Sequence, residues 1–159
     1  MKKQIAVAAW LLCALLLQGV SCAKEPEFSA KQKDDIREVV LRWLLPDTKQ
    51  RYGESVYFLR VDDHDPSKGL LARFQGLGAS VKPASASKRL KKLMQVVDRK
   101  TNEKGAILFV DQIKRISDTK AVMEGGYIGN GRAAAFYDFA VELKKGKWLV
   151  TKHKCTAVS

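Results

Sequence analysis

The sequence predicts an α+β fold, with an N-terminal amphipathic helix and further short helices packed on one face of a curved antiparallel β-meander. Three observations carry that expectation. Apolar residues recur at helical spacing from Ile36 to Leu44. Strand-like runs joined by short polar turns fill the chain from Ala106 onward. The helical segments precede these runs instead of alternating with them, and successive strands joined by tight turns must reverse direction.

The first stretch stands outside the fold. Lys2 and Lys3 precede Ile5 to Leu17, which reads IAVAAWLLCALLL without a polar residue. A basic start and an apolar core of about 7–15 residues describe a secretory signal, too short for a comfortable bilayer span. Two processing patterns overlap at its end. Ser21-Cys22-Ala23 fits cleavage after Ala23 by ordinary signal peptidase, whereas Gly19-Val20-Ser21-Cys22 resembles the lipobox of bacterial lipoproteins, in which cleavage leaves an acylated Cys22 first. Leu usually stands where Gly19 does. The lipid reading rests on the small residue before Cys22, Ala23 after it and the polar KEPEF behind. The chain divides into a signal peptide (1–22), a tether (23–28) and one α+β domain (29–159).

The elements of that domain follow in order. Ser29 and Gln32 form a capping-box start, with Ile36, Val39, Val40, Trp43 and Leu44 on one stripe, and Pro46 is expected to stop the helix at Leu45. Glu54 to Val61 is aromatic and β-branched enough for a strand. The following Asp62-Asp63-His64-Asp65 invites a metal reading. Adjacent residues on an extended segment point to opposite faces, so Asp65 is better read as N-cap and Pro66 as first residue of a short helix carrying Leu70, Leu71 and Phe74. Gly76 and Gly78 end it, and Val81 to Ser87 reads as a loop. Leu90, Leu93, Met94 and Val97 have helical spacing, yet MQVVD also suits a strand turning through RKTNEKG, and both readings stand. Four strands close the chain: Ala106 to Ile116, Lys120 to Ile128 with a bulge expected at Gly125-Gly126, Ala133 to Leu143 after a turn at Gly129-Asn130-Gly131, and Trp148 to Cys155.

VVDRKTNEKGAILFV, ISDTKAVMEGGYIGNG and KKGKWLVTKHKCTAVS, with the helix before them, resemble the NTF2-like (cystatin-like) superfamily, and in particular a set of uncharacterised bacterial secreted domains. The resemblance implies a cone between helix and sheet, in which enzymes of the group place a His, Asp or Tyr. The acid–base set that can be assembled for such a cone is Asp111, Asp138 and His153 with Tyr127. Alternation puts Asp138 with Phe136 and Ala140, and His153 with Leu149 and Thr151. Polar residues on the wet face of a half-exposed sheet explain the same pattern more simply. Cys155, the only thiol left after the signal and Cys22, reads as a small buried hydrophobe with no partner for a disulfide.

Charge is the strongest compositional signal. The net charge is +12, and the excess is local. Between Lys82 and Lys104 lie Lys82, Lys88, Arg89, Lys91, Lys92, Arg99, Lys100 and Lys104 against Asp98 and Glu103 only. Outside the cytoplasm nucleic acid is a poor partner; a solvated lysine-rich surface is the plain reading, and an anionic membrane surface or acidic envelope polymer is the partner that Lys88, Arg89, Lys91 and Lys92 would meet. No Walker loop, GxGxxG, HExxH, CxxC pair or GxSxG occurs, and nothing in the residues calls for a metal or cofactor. The expected function is a non-enzymatic ligand- or partner-binding module of the envelope with a basic surface. The alternative is a small isomerase-, cyclase- or hydrolase-type enzyme using the cone.

Overall fold

The computed structural model describes residues 27–52 and 56–159. The signal segment, Cys22 and most of the tether therefore lie outside the described residues. Helix α1 (Ala30–Tyr52) starts as the sequence predicts: the Ser29 amide donates to Gln32 Oε1 at 2.9 Å, and the Gln32 amide donates to Ser29 Oγ at 3.3 Å. It does not stop at Leu45. The helix runs on through Pro46, since a proline removes one ladder bond without making the next turn impossible. Ile36, Val40, Leu41 and Leu44 are wholly buried, each contributing about 1.5–3 kcal/mol against exposure.

Among the described residues eight strands follow: β1 (Val56–Val61), β2 (Ser80–Pro83), β3 (Ser87–Leu90), β4 (Gln95–Asp98), β5 (Gly105–Ser117), β6 (Lys120–Ile128), β7 (Ala134–Lys144) and β8 (Lys147–Val158), with the short helix α2 (Lys68–Ala72) between β1 and β2. Six of them form one sheet in the order β2-β1-β5-β6-β7-β8, and β3-β4 form a separate ribbon. This corrects the predicted fold class. The described residues form mostly strand, with a six-stranded mixed sheet and one long helix, not several helices on an antiparallel meander, and they do not match the NTF2-like arrangement. The meander β5 to β8 is antiparallel, but β1 pairs in parallel with both β5 and β2. The reason is visible in β1: VYFL is buried on both faces, which is how a parallel strand inside a sheet reads. Its neighbour β2 lies in the stretch expected to be loop. Pro83, at its end, lacks a donor and is tolerated because β2 is an edge.

Local chemistry corrects two further expectations. The N-cap of α2 is Ser67, whose Oγ accepts from the Leu70 amide at 3.0 Å. Asp65 instead accepts from the Ser85 amide at 2.8 Å, across the crossover to the next strand. The pair Gly125-Gly126 is not a bulge but stays in register with β5 and β7, because a side chain has no room there. A Cβ on Gly126 would sit 2.1 Å from the Ala135 carbonyl oxygen. The bulges fall at Gln112 and Ile116 in β5 and at Thr151 and Thr156 in β8. Gln112 has a φ of 50°, and its amide is held by Asp62 Oδ1 at 2.9 Å, so the acidic turn after β1 pins the β5 bulge.

The sheet separates two apolar clusters. On one face α1 covers Tyr57, Leu59, Leu108, Val110, Tyr127, Tyr137 and Phe139. On the other the β3-β4 ribbon lays Val96 over Val56 and Phe58. Phe28 stacks edge-on against Trp148 (5.5 Å) beneath the Arg115 guanidinium, whereas Val96 is tied to Asn130 beside Gly105. The tether and the ribbon therefore join the sheet at opposite ends of β5. No helix among the described residues is long and apolar enough to cross a membrane.

Candidate functional site

The segment left open between helix and strand is an antiparallel hairpin, with Ser87 opposite Asp98 and Leu90 opposite Gln95. Its root is fixed. Val96 and Val97 are buried, and the Val96 amide donates to Asn130 Oδ1 at 3.1 Å. Asp98, 2% exposed, ties the root to the rest of the domain. Its Oδ2 accepts from Lys82 Nζ at 2.8 Å, and its Oδ1 accepts from the Lys100 and Thr101 amides at 2.7 and 2.9 Å. The Lys82 bond first, then the Thr101 and Lys100 amides, hold the Asp98 carboxyl far below the ordinary carboxylate range. Arg99 completes the brace, with Nε donating to the Ser87 carbonyl at 2.7 Å.

The tip is the reverse of the root. Lys91 to Met94 form the turn, closed by bonds from the Leu93 and Met94 amides to the carbonyls of Leu90 and Lys91. Met94 takes a φ of 49°, an unfavourable conformation for a side chain of its size. Leu93 is 61% and Met94 38% exposed, with Arg89, Lys91 and Lys92 exposed around them and Lys88 half-buried. The result is a braced arm whose free end carries two apolar side chains inside a collar of cations. A packed core has no use for such an end. It suits an interface where apolar groups leave water while cations meet negative headgroups.

The acid–base residues picked from the sequence are divided by the sheet. Asp111 and Asp138 lie on the ribbon side. Tyr127 is 1% exposed within the core beneath α1. His153 also lies on the α1 side, its ring 4.5 Å from Trp43 and 6.3 Å from Tyr137. Simple alternation put it with Leu149 on the opposite face, and the bulge at Thr151 reverses that. Asp111 faces Arg60 at 3.5 Å, and the Arg60 guanidinium lies 4.8 Å from the Phe109 ring centroid. Among the described residues no group of three His, Cys, Asp or Glu side chains is placed to hold a metal ion. Asp62 is instead engaged with Arg37 at 2.6 Å. Cys155, expected to be buried, is exposed on β8, the long edge strand.

Two concavities accompany the hairpin. One, of about 370 Å³, lies between α1 and the β7–β8 turn, lined by Asp35, Glu38, Arg42 and Trp148. Its charges are already paired. Arg73 Nη1 contacts Asp35 at 2.7 Å and Glu38 at 2.9 Å, and Arg42 Nε donates to Glu38 at 2.8 Å. Burial pushes the Asp35 carboxyl up, but the bonds from Lys31 and Arg73 outweigh it and its pKa is lowered. The other, of about 330 Å³, lies on the ribbon side of the sheet between Phe109, Phe136, Glu124 and Asp138. Sequence reasoning missed Leu93, Met94, Glu124 and Phe136 as candidates. For the last two the signal was present, since alternation along β6 and β7 puts them on the face away from Met123 and Tyr137.

Compared with protein-family models, curated proteins and solved structures, the chain shows no significant match.

Proposed function

We propose that the chain is an exported envelope protein, a non-enzymatic binding module that docks on an anionic membrane surface through the β3-β4 hairpin. One observation carries this reading: a hairpin braced at its root exposes Leu93 and Met94 at its tip among Arg89, Lys91, Lys92 and Lys88. Export is supported by the apolar run Ile5 to Leu17 behind Lys2 and Lys3, and membrane retention by the box ending at Cys22. The cations supply long-range attraction and the apolar pair a short-range hold, a combination an acidic polymer in water does not repay.

The test uses protein carrying Cys22→Ser, so that no acyl chain contributes. Because tether and hairpin leave the sheet at opposite ends, the two attachments are separable. Co-sedimentation with phosphatidylglycerol-containing vesicles should be strong at low salt and weak against neutral phosphatidylcholine. Reversing Lys88, Arg89, Lys91 and Lys92 to Glu should abolish it, since the attraction decays within a Debye length of about 10 Å at 0.1 M salt. Equal binding to neutral vesicles, or binding that survives the reversal, would exclude the hairpin as the docking element.

A further inference from the structure

The ribbon covers only part of its side of the sheet, and the uncovered part holds the second concavity. Phe109 and Phe136 stand on either side of Gly126 in register, and their ring centroids are 5.5 Å apart. Gly126 lets the rings meet, because a Cβ there would lie 2.9 Å from Phe109 Cζ. Phe136 is 40% exposed, so the apolar floor opens to solvent. Glu124 and Asp138 rise beside it, directly opposite one another across β6 and β7. Neither makes an ion pair or hydrogen bond with any described residue. Both are exposed to solvent, and like charges placed so oppose each other. The nearby cations do not answer them: Arg60 is engaged with Asp63 and Asp111, and Lys154 is opposite Asp138 in register without pairing to it.

We infer that this groove binds a small organic cation with an apolar body, such as an alkyl- or arylammonium. The exposed ring of Phe136 takes the body, beside the buried Phe109 ring whose centroid lies 4.8 Å from the Arg60 guanidinium, and the two carboxylates share the ammonium protons. A volume of about 330 Å³ matches a small molecule. Carboxylates above an aromatic floor exclude a phosphate or carboxylate ligand, so the site is opposite in sign to the hairpin and independent of it.

The experiment is calorimetric titration of the purified chain with phenethylamine, 2-phenylethanol and 3-phenylpropionate, which share a ring and differ in charge. Phenethylamine should bind about tenfold or more tightly than the alcohol, with no binding of the acid. Glu124→Gln with Asp138→Asn should erase that preference while leaving the alcohol unchanged. Its thermal stability should equal or exceed the parent's, because a repulsion is removed. Phe136→Ala should weaken amine and alcohol alike, and Lys154→Ala should tighten the amine by removing a competing cation. Equal binding of amine and alcohol, persistence of the preference in the Glu124/Asp138 variant, or no binding of the amine would overturn the assignment. Capture of a blocked Leu-Lys-Lys-Leu peptide much more tightly than phenethylamine would also overturn it, in favour of a macromolecular partner.

Discussion

Replacing Leu93 and Met94 by Ser removes the apolar part of the hairpin tip and leaves every cation in place. Fully burying a Leu or Met side chain is worth about 1.5–3 kcal/mol. With Leu93 61% and Met94 38% exposed, the area still open to burial on docking amounts to about 1.5–3 kcal/mol for the pair. That is about 10- to 150-fold in partition coefficient, the lower figure applying if the tip enters only the headgroup region. The four cations contribute about 1 kcal/mol each near an anionic surface. Their contribution falls as the Debye length shrinks from about 10 Å at 0.1 M salt to about 3 Å at 1 M, whereas the apolar part persists. Sedimentation of the Cys22→Ser chain with anionic vesicles at both salts separates the two. L93S/M94S should lose about tenfold or more at each salt while keeping the parent's salt dependence. Its unfolding midpoint should not move, because exposed surface substitutions change stability by about 0.5 kcal/mol or less. A variant that binds like its parent at both salts would refute insertion and reduce the hairpin to a purely electrostatic contact.

Three other outcomes follow from the geometry. Gly126→Ala forces a Cβ against the Ala135 carbonyl, a backbone atom that cannot swing aside, so urea unfolding should show a loss at the upper end of the roughly 1–3 kcal/mol typical of overpacking. Asp98 has a folded pKa below its unfolded value of about 3.9, so its contribution is fully present above that pH and is lost as the solution is acidified below it. Denaturant midpoints measured from about pH 5 downward should therefore fall less steeply for Asp98→Asn than for the parent, and identical slopes would remove the Lys82–Asp98 brace from the account. The intact mass of protein recovered from a bacterial host should show a chain beginning at Cys22 with added acyl mass. A chain beginning at Lys24 without it means simple secretion, and Cys22→Ser should change neither fold nor vesicle binding.

Local chemistry was legible wherever the deciding partners lie close in the chain. The Ser29–Gln32 box, the stripe from Ile36 to Leu44 and the turns that set β5 to β8 in antiparallel order depend on residues a few positions apart, and the structure bears them out. The concentration of cations between Lys82 and Lys104 is read directly from the order of residues. What failed needed distant partners. The parallel docking of β1 on β5 joins residues about fifty positions apart, and no turn between them announces it. The bulge at Thr151 shifts the register by one residue, and in a strand one residue is the difference between two faces, so His153 moved from the ribbon side to the Trp43 side and the imagined acid–base set came apart. Leu93 and Met94 illustrate the same limit. Their helical spacing with Leu90 and Val97 is real in the sequence, but Val96 and Asp98 gain more from the sheet, Asn130 and Lys82 than a short helix would provide. The chain therefore turns at Lys91 to Met94, and residues that periodicity assigned to a core stand in solvent.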